Sequence, residues 1–379
     1  MSALILIMID GLGADHFERC RSRLPQLDEL ARRGARVSAL SPEMCGTSCP
    51  GRTSIIAGVP SSRHGIYGNR IFVDDGFRFS NPYDVATETL PALAARQGLD
   101  VAGIGFGMVR PEDCTLYHGP WWASEMLMGA KHAGCASADR QWRHAAGAFD
   151  PDGRLRAPEA GAVAAVVEEG HADRELERGR LEDRRLMDIA AELACSARPP
   201  DFILLEIAVT DYYLHKYGVD HPVTDWSLRM ADAQIAALVA RLERAGMLDH
   251  YNLAVTSDHG HADMASALYV DRLLDGGTRW SSEGGVLMVR PQTPRRAGEI
   301  ERRLGEYGVE PWDNGHLPEP LRDHILTFVM PDGSDMSFEK SRPGTTGVTG
   351  PSKYRSNHGR RPGTRSDYRF CLFAGPDIP

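Results

Sequence analysis

Short, continuous apolar runs alternate with amphipathic stretches along much of this chain. "LILIMIDG" is followed by "LPQLDELARRG", "TLPALAARQG" leads into "VAGIGFG", and "FILLEIAVTD" precedes "WSLRMADAQIAALVARLERAG". In the last of these the apolar positions recur at three- and four-residue spacing, the mark of a helix with one buried face. The runs themselves do not alternate with polar residues, so they read as strands covered on both sides. "YNLAVTSDHG" is a further such strand, and "LYVDRLLDGG" is expected to supply the helix after it. The pattern predicts an α/β fold: a mainly parallel sheet with helices on both faces.

Two regions break this rhythm. Residues 111–182 contain "YHGPWWASEMLMGAKHAG" and the charged "EEGHADRELERGRLEDRR". Residues 277–343 contain "GGVLMVRPQTPRRAGEIERRLGEYG", which suits a small strand–helix unit. Both are expected as insertions forming a cap or lid, leaving 1–110, 183–276 and 344–379 as the core. The stretch "GTTGVTGPSKYRSNHGRRPG" is too rich in Gly, Ser and Pro for a regular element. No internal repeat is evident, and the charge-rich runs read as solvated helix faces.

Composition narrows the class without naming a function. With 379 residues, 42% of them apolar and 25% charged, the chain can build a large core. A formal charge of −9 argues against a nucleic-acid duplex as partner. Seven cysteines without a C-x-x-C pair suit free thiols in a reducing compartment, and no run reaches the roughly 18 apolar residues of a membrane span. "MSALILIMIDGLG" lacks the basic start and cleavage site of a signal peptide and reads as a buried first strand. The expectation is a cytoplasmic protein that does not engage a membrane; a homo-oligomer stays open.

In parallel sheets chemistry gathers at the carboxyl ends of the strands, where Asp10, Asp211, Asp258 and His259 fall. Asp211 and His215 are four residues apart in "TDYYLH", one helical turn if a helix begins there. "SDHGH" offers Asp258 and His259, and His358 stands in a late loop. Mixed carboxylate and imidazole donors suit zinc or a similar transition metal. The bland readings are a chance Asp–His spacing and a surface histidine. "TSCPGRTSIIAG" sets three nucleophiles, Thr47, Ser48 and Cys49, just before Pro50, a residue suited to a first helical turn. A side chain there faces the positive end of a helix, although Ser48 could also be a plain N-cap.

The ordered set resembles the alkaline phosphatase superfamily, and within it the nucleotide pyrophosphatase/phosphodiesterase family, across nearly the whole chain. The resemblance implies a hydrolase with two Zn2+, or other divalent transition metals, acting on a small phosphorylated substrate through a covalent Ser48 intermediate. It assigns one metal to Asp10, Ser48, Asp258 and His259, and the other to Asp211, His215 and His358, with Asn69 of "HGIYGN" binding phosphoryl oxygen. Asn69 follows Ser48 by 21 residues, the family spacing, which selects Ser48 over its neighbours. Cys49 and Glu206 stand where nucleotide-cleaving members carry base-gripping aromatics; Trp121, Trp122, Tyr212 and Tyr213 are candidate substitutes. "TDYYLHKY" is also similar to phosphonoacetate hydrolases, whose carboxylate-binding lysines would fall at Gly107 and Val109, with Arg110 as partial replacement. S-C-P-G-R fits the sulfatase pattern too, with Ser48 as an aldehyde precursor and Arg52 as supporting cation. Lys353, Arg355, Arg360 and Arg361 read equally as contacts for a polyanionic substrate or as a solvated basic loop. An inactive metal-binding interaction module is the non-enzymatic alternative.

Overall fold

Ala3–Ile9 (β1) shows why the apolar runs become central strands. Ile5, Ile7 and Ile9 enter one hydrophobic cluster and Leu6 and Met8 another, so both faces of the strand are covered. This is the twofold periodicity of a strand acting on an unbroken apolar run. The same split recurs in Phe202–Ile207, where Ile203, Leu205 and Ile207 face one way and Phe202 and Leu204 the other.

The computed structural model describes residues 2–123, 136–156 and 174–379. Its main sheet comprises β1, β2 (Ala35–Leu40), β3 (Val101–Ile104), β4 (Leu116–His118), β5 (Ala148–Phe149), β6 (Phe202–Ile207), β7 (Tyr251–Thr256) and β8 (Arg369–Ala374). The spatial order is β2-β8-β7-β1-β6-β3-β4-β5. The neighbours from β7 to β4 are parallel. At the edges β8 runs antiparallel to β7 and β2, and β5 antiparallel to β4.

Helices cover both faces. Ser48–Ala57 (α1) brings Cys49 and Ile56 to one cluster. Arg174–Ala194 (α2), Val209–Tyr217 (α3) and Pro222–Arg244 (α4) lie on the other face, with Leu186, Ile189, Leu228, Ile235 and Leu242 buried there. Pro222 opens α4, and the His221 ring accepts from the backbone N–H of Val223 at 3.2 Å, satisfying a first-turn donor.

Segment 277–343 contains a four-stranded antiparallel sheet, ordered Arg279–Ser282, Val286–Arg290, Leu326–Val329 and Glu310–Trp312. Helix Pro294–Gly305 packs Ile300 and Leu304 against its Leu287, Val289 and Phe328. Segment 111–182 differs from the expected lid: β4 and β5 extend the main sheet, and α2 runs unbroken across the 182/183 boundary. The remainder of that segment, 124–135 and 157–173, lies outside the described residues.

Two local expectations also fail. "LYVDRLLDGG" yields strand Ser266–Tyr269 and then only the single turn Val270–Leu273, because Ala267, Leu268 and Tyr269 are buried in a three-stranded sheet. The Gly-rich late stretch forms two short strands, Thr349–Pro351 and Ser356–Asn357. They pair with residues 266–268 and 262–263, which supply partners for its backbone groups.

Among the described residues no helix is long and apolar enough to cross a membrane. Truncating the fully buried Ile7 to alanine is expected to cost about 2–5 kcal/mol. The urea midpoint measures it.

Candidate metal centre and cavity

Asp10 follows β1 and Asp258 closely follows the adjacent β7, so the parallel pairing delivers two carboxylates to one edge of the sheet. Asp258 Oδ1 accepts from the N–H of Gly11 at 3.2 Å and of His259 at 3.0 Å. Asp10 Oδ2 accepts from Arg52 Nη2. Each carboxylate therefore has one oxygen held by the protein. Their other oxygens, Asp10 Oδ1 and Asp258 Oδ2, are buried without a hydrogen-bond partner.

These two oxygens face His259. Its Nδ1 lies 3.2 Å from the Gly260 carbonyl, to which an Nδ1–H donates, leaving the Nε2 lone pair exposed to the cluster. Nε2 sits 3.3 Å from Asp10 Oδ1, 3.6 Å from Asp258 Oδ2 and 3.2 Å from Ser48 Oγ. Ser48 arrives there because α1 presses its first turn onto Asp258. A Cβ on Gly51 would lie 2.3 Å from the Asp258 carbonyl oxygen, so only glycine permits the approach.

Acceptors without donors, converging in a buried space, are costly unless a cation joins them. Burial pushes the Asp10 carboxyl up to about 8, against the pull of Arg52. Burial and then the Asp10 charge push Asp258 up to about 7. The donor set fits a divalent cation.

The second cluster is built on α3 and the late loop. Asp211 and His215 stand one turn apart, with His215 Nε2 3.4 Å from Asp211 Oδ2. His215 Nδ1 donates to the Ser356 carbonyl at 2.9 Å, fixing Nε2 toward the carboxylate. His358, 8% exposed, joins them, and ligand atoms of the three lie within 4.8 Å of one another. The His358 ring centroid is 4.9 Å from that of His215 and 4.4 Å from that of His259, so it sits between the clusters. All seven predicted ligand positions thus meet at one edge of the sheet.

His261 is a residue that the sequence reading missed. Its Nε2 is 2.7 Å from Asp211 Oδ1 and its Nδ1 3.0 Å from Ser356 Oγ. The signal was available in "SDHGH": in an extended stretch, positions 259 and 261 share a side.

Asn69 completes the floor. Its Oδ1 accepts from the Cys49 N–H at 2.8 Å, which leaves its amide donor for the cavity that it lines. Glu283, buried and pushed up to about 7 by that burial, accepts from the N–H of Asn69 at 2.9 Å and of Arg70 at 3.1 Å. No sequence motif announced Glu283. The cavity measures about 1030 Å³, with Tyr212, Trp280, Phe338 and Tyr354 among its walls and Arg70, Lys340, Lys353 and Arg355 among its cations.

The sequence matches the type I phosphodiesterase/nucleotide pyrophosphatase family over residues 4–354. The chain belongs to that family. The match includes each site position except His358, which lies just beyond it. Among solved structures, murine ectonucleotide pyrophosphatase/phosphodiesterase 5, in an inactive form in complex with AMP, superimposes with a TM-score of 0.68 at 16% identity. The alignment covers 99% of this chain and 88% of that one. The human counterpart gives a TM-score of 0.66 at 15% identity over the same shares. The fold is that of the alkaline phosphatase superfamily. No curated protein matches the chain in sequence.

Within this family fold, several expected substrate contacts are redirected. Arg110 turns away from the cavity, donating to the carbonyls of Pro82 and Val85 and stacking on Tyr83. Gly107 has no side chain and Val109 is a buried aliphatic, so neither of these two positions supplies a cation for a phosphonoacetate carboxylate. Arg360 is buried and donates to the Ser334 carbonyl, while Arg361 pairs with Glu310 and stacks on Trp312. Their partners come from segment 277–343, far away in sequence. Lys353 and Arg355 do line the cavity. Their turn is pinned by Glu339, which accepts from Ser352 Oγ and the Lys353 N–H, and by the Arg355 N–H donating to the His215 carbonyl at 2.8 Å.

Trp121 donates to Asp183 at 2.7 Å and is buried, so it packs rather than grips a ligand. Segment 277–343 meets the late loop backbone to backbone. A Cβ on Gly359 would fall 1.6 Å from the Glu283 carbonyl oxygen, and one on Gly284 2.2 Å from that of His358.

His64, which opens "HGIYGN", is wholly buried, and its Nδ1 accepts from the Ile66 N–H at 3.1 Å. Its Nε2 therefore carries the proton and donates to Ser54 Oγ, 3.1 Å away. Burial lowers its pKa from 6.5 to about 4. Unfolding releases a histidine that takes up a proton first, so this contribution is complete above pH 6.5 and lost as pH falls through about 4. His64→Gln is expected to give a shallower fall of Tm between those values than the parent, as measured by scanning calorimetry.

Proposed function

We propose that this protein is a metal-dependent hydrolase that cleaves a phosphodiester or phosphoanhydride bond with Ser48 as nucleophile. The observation that carries this reading is the placement of Ser48 Oγ 3.2 Å from His259 Nε2, beside two buried carboxylate oxygens without partners. Two divalent cations, zinc suiting the histidine-rich donors, would be held by Asp10, Ser48, Asp258 and His259 and by Asp211, His215 and His358, supplying Lewis acidity.

The chain's own residues set up the displacement. Ser48 Oγ gives up its proton to solvent and attacks phosphorus, the bond to the leaving oxygen breaks and that oxygen takes up a proton, and the phosphoryl group, with any other substituent it carries, remains esterified to the serine. Water then displaces the serine oxygen, which regains a proton. The amino end of α1 turns its positive dipole toward the charge that develops. Asn69 donates to a phosphoryl oxygen. The AMP bound to the inactive murine structure is a ligand of that protein; here neither Cys49 nor Glu206 offers an aromatic ring, and Tyr212, Trp280, Phe338 and Tyr354 are among the rings of the cavity against which a base could lie.

Ser48→Ala is expected to lower hydrolysis of bis(4-nitrophenyl) phosphate at least about a thousandfold while keeping two zinc equivalents by elemental analysis. Undiminished turnover would remove Ser48 from the role. His215→Ala should bring bound zinc from two equivalents to one. Rates on an aryl diester, aryl monoester, aryl sulfate and phosphonoacetate rank the substrate classes, and a dominant sulfate rate would replace this reading with the sulfatase one.

A further inference from the structure

Arg52, the cation of the S-C-P-G-R stretch, stands at the cavity wall but is almost wholly occupied by protein groups. Its guanidinium is 2% exposed and clamped on every side. Nε donates to Glu206 Oε2 at 2.9 Å and Nη2 to Glu206 Oε1 at 3.4 Å, a two-point pairing. Nη2 also donates to Asp10 Oδ2, and Nη1 lies 3.5 Å from Asp258 Oδ2.

The rest of the pocket serves this cation. The Trp122 ring covers it with its centroid 5.1 Å from the guanidinium carbon, and the indole N–H donates to Glu206 Oε1. The Gly107 N–H donates to Glu206 Oε2 at 2.9 Å. A Cβ on Gly107 would come within 2.6 Å of Trp122 and 2.9 Å of Arg52, so the loop closes on the pair only as glycine. Glu206 is a charged residue within an otherwise apolar strand, and Arg52 answers it.

We propose that Arg52 is a positioning residue for a divalent cation at the Asp10, Ser48, Asp258 and His259 cluster. By holding Asp10 through Oδ2 it leaves Oδ1 as the oxygen presented beside His259 Nε2, 3.3 Å away. Glu206 fixes the guanidinium in turn and balances its charge. This inference rests on the metal-dependent reading above and adds which residue orients the first set of donors.

Replacing both members of the pair tests it. Arg52→Gln with Glu206→Gln removes one positive and one negative charge, so the net field on an incoming cation is unchanged to first order while the grip on Asp10 is lost. Zn2+ is titrated calorimetrically into chelator-treated protein. The parent is expected to bind two equivalents. In the double variant one equivalent weakens at least tenfold and the other stays within threefold. Arg52→Lys keeps the charge but not the two-point fork and is expected to show the same selective weakening, to a smaller extent; either variant, once folded by circular dichroism, suffices.

Parent-like affinity for both equivalents in a folded variant would overturn the proposal and leave Arg52 as the structural partner of Glu206. Failure of both variants to fold, even with Zn2+ added, would overturn it equally, since the pair would then be holding up the core. A parent that binds fewer than two equivalents would instead strike at the metal-dependent reading itself.

Discussion

Like charges crowded into one buried place are the constraint on which this architecture turns. Adjacent parallel strands β7, β1 and β6 bring Asp258, Asp10 and Glu206 to the same edge, and α3 adds Asp211. Carboxylates so placed repel one another in a medium that screens poorly. The fold answers on two sides. A guanidinium enters from α1 beneath the sheet edge, and histidines close from the loops above it. What is left unanswered, two oxygens without donors, is the part of the problem that an ion from solution can solve.

Much of this was legible because strand ends are legible. An unbroken apolar run followed by Asp-Gly or Asp-His-Gly marks both a buried strand and the residue projecting from its end. Such signals put Asp10, Asp258 and His259 on one edge from the order of residues alone, and the four-residue spacing to His215 marked Asp211. Side chains whose partners lie far away in sequence were not legible. Arg110, Arg360 and Arg361 looked like free cations and are occupied by carbonyls, Glu310 and aromatic rings. Glu283, which holds the backbone of Asn69, sits in an insertion with no motif around it. The antiparallel edge strand β2 escaped notice because it is largely exposed and carries little apolar pattern.

The likeness to the murine and human structures is one of fold. At about one identical residue in six the path of the backbone persists, and a fold can persist at that level because a core asks for volume and polarity more than for particular side chains. The cavity walls are under no such rule. In this chain Arg52 and Glu206 form a fixed ion pair under Trp122, and aromatic side chains from several segments, Tyr212, Trp280, Phe338 and Tyr354 among them, line the cavity.

The backbone contact between Gly284 and Gly359 has a mechanical meaning. With main chain touching main chain there, a displacement of segment 277–343 would press directly on the loop carrying His358. Any rocking of the smaller sheet against the larger would drag an imidazole in or out of the centre. Opening the cavity and loosening the grip on an ion would then be the same movement. Grafting a foreign lobe at this seam would mean rebuilding the coordination at the same time.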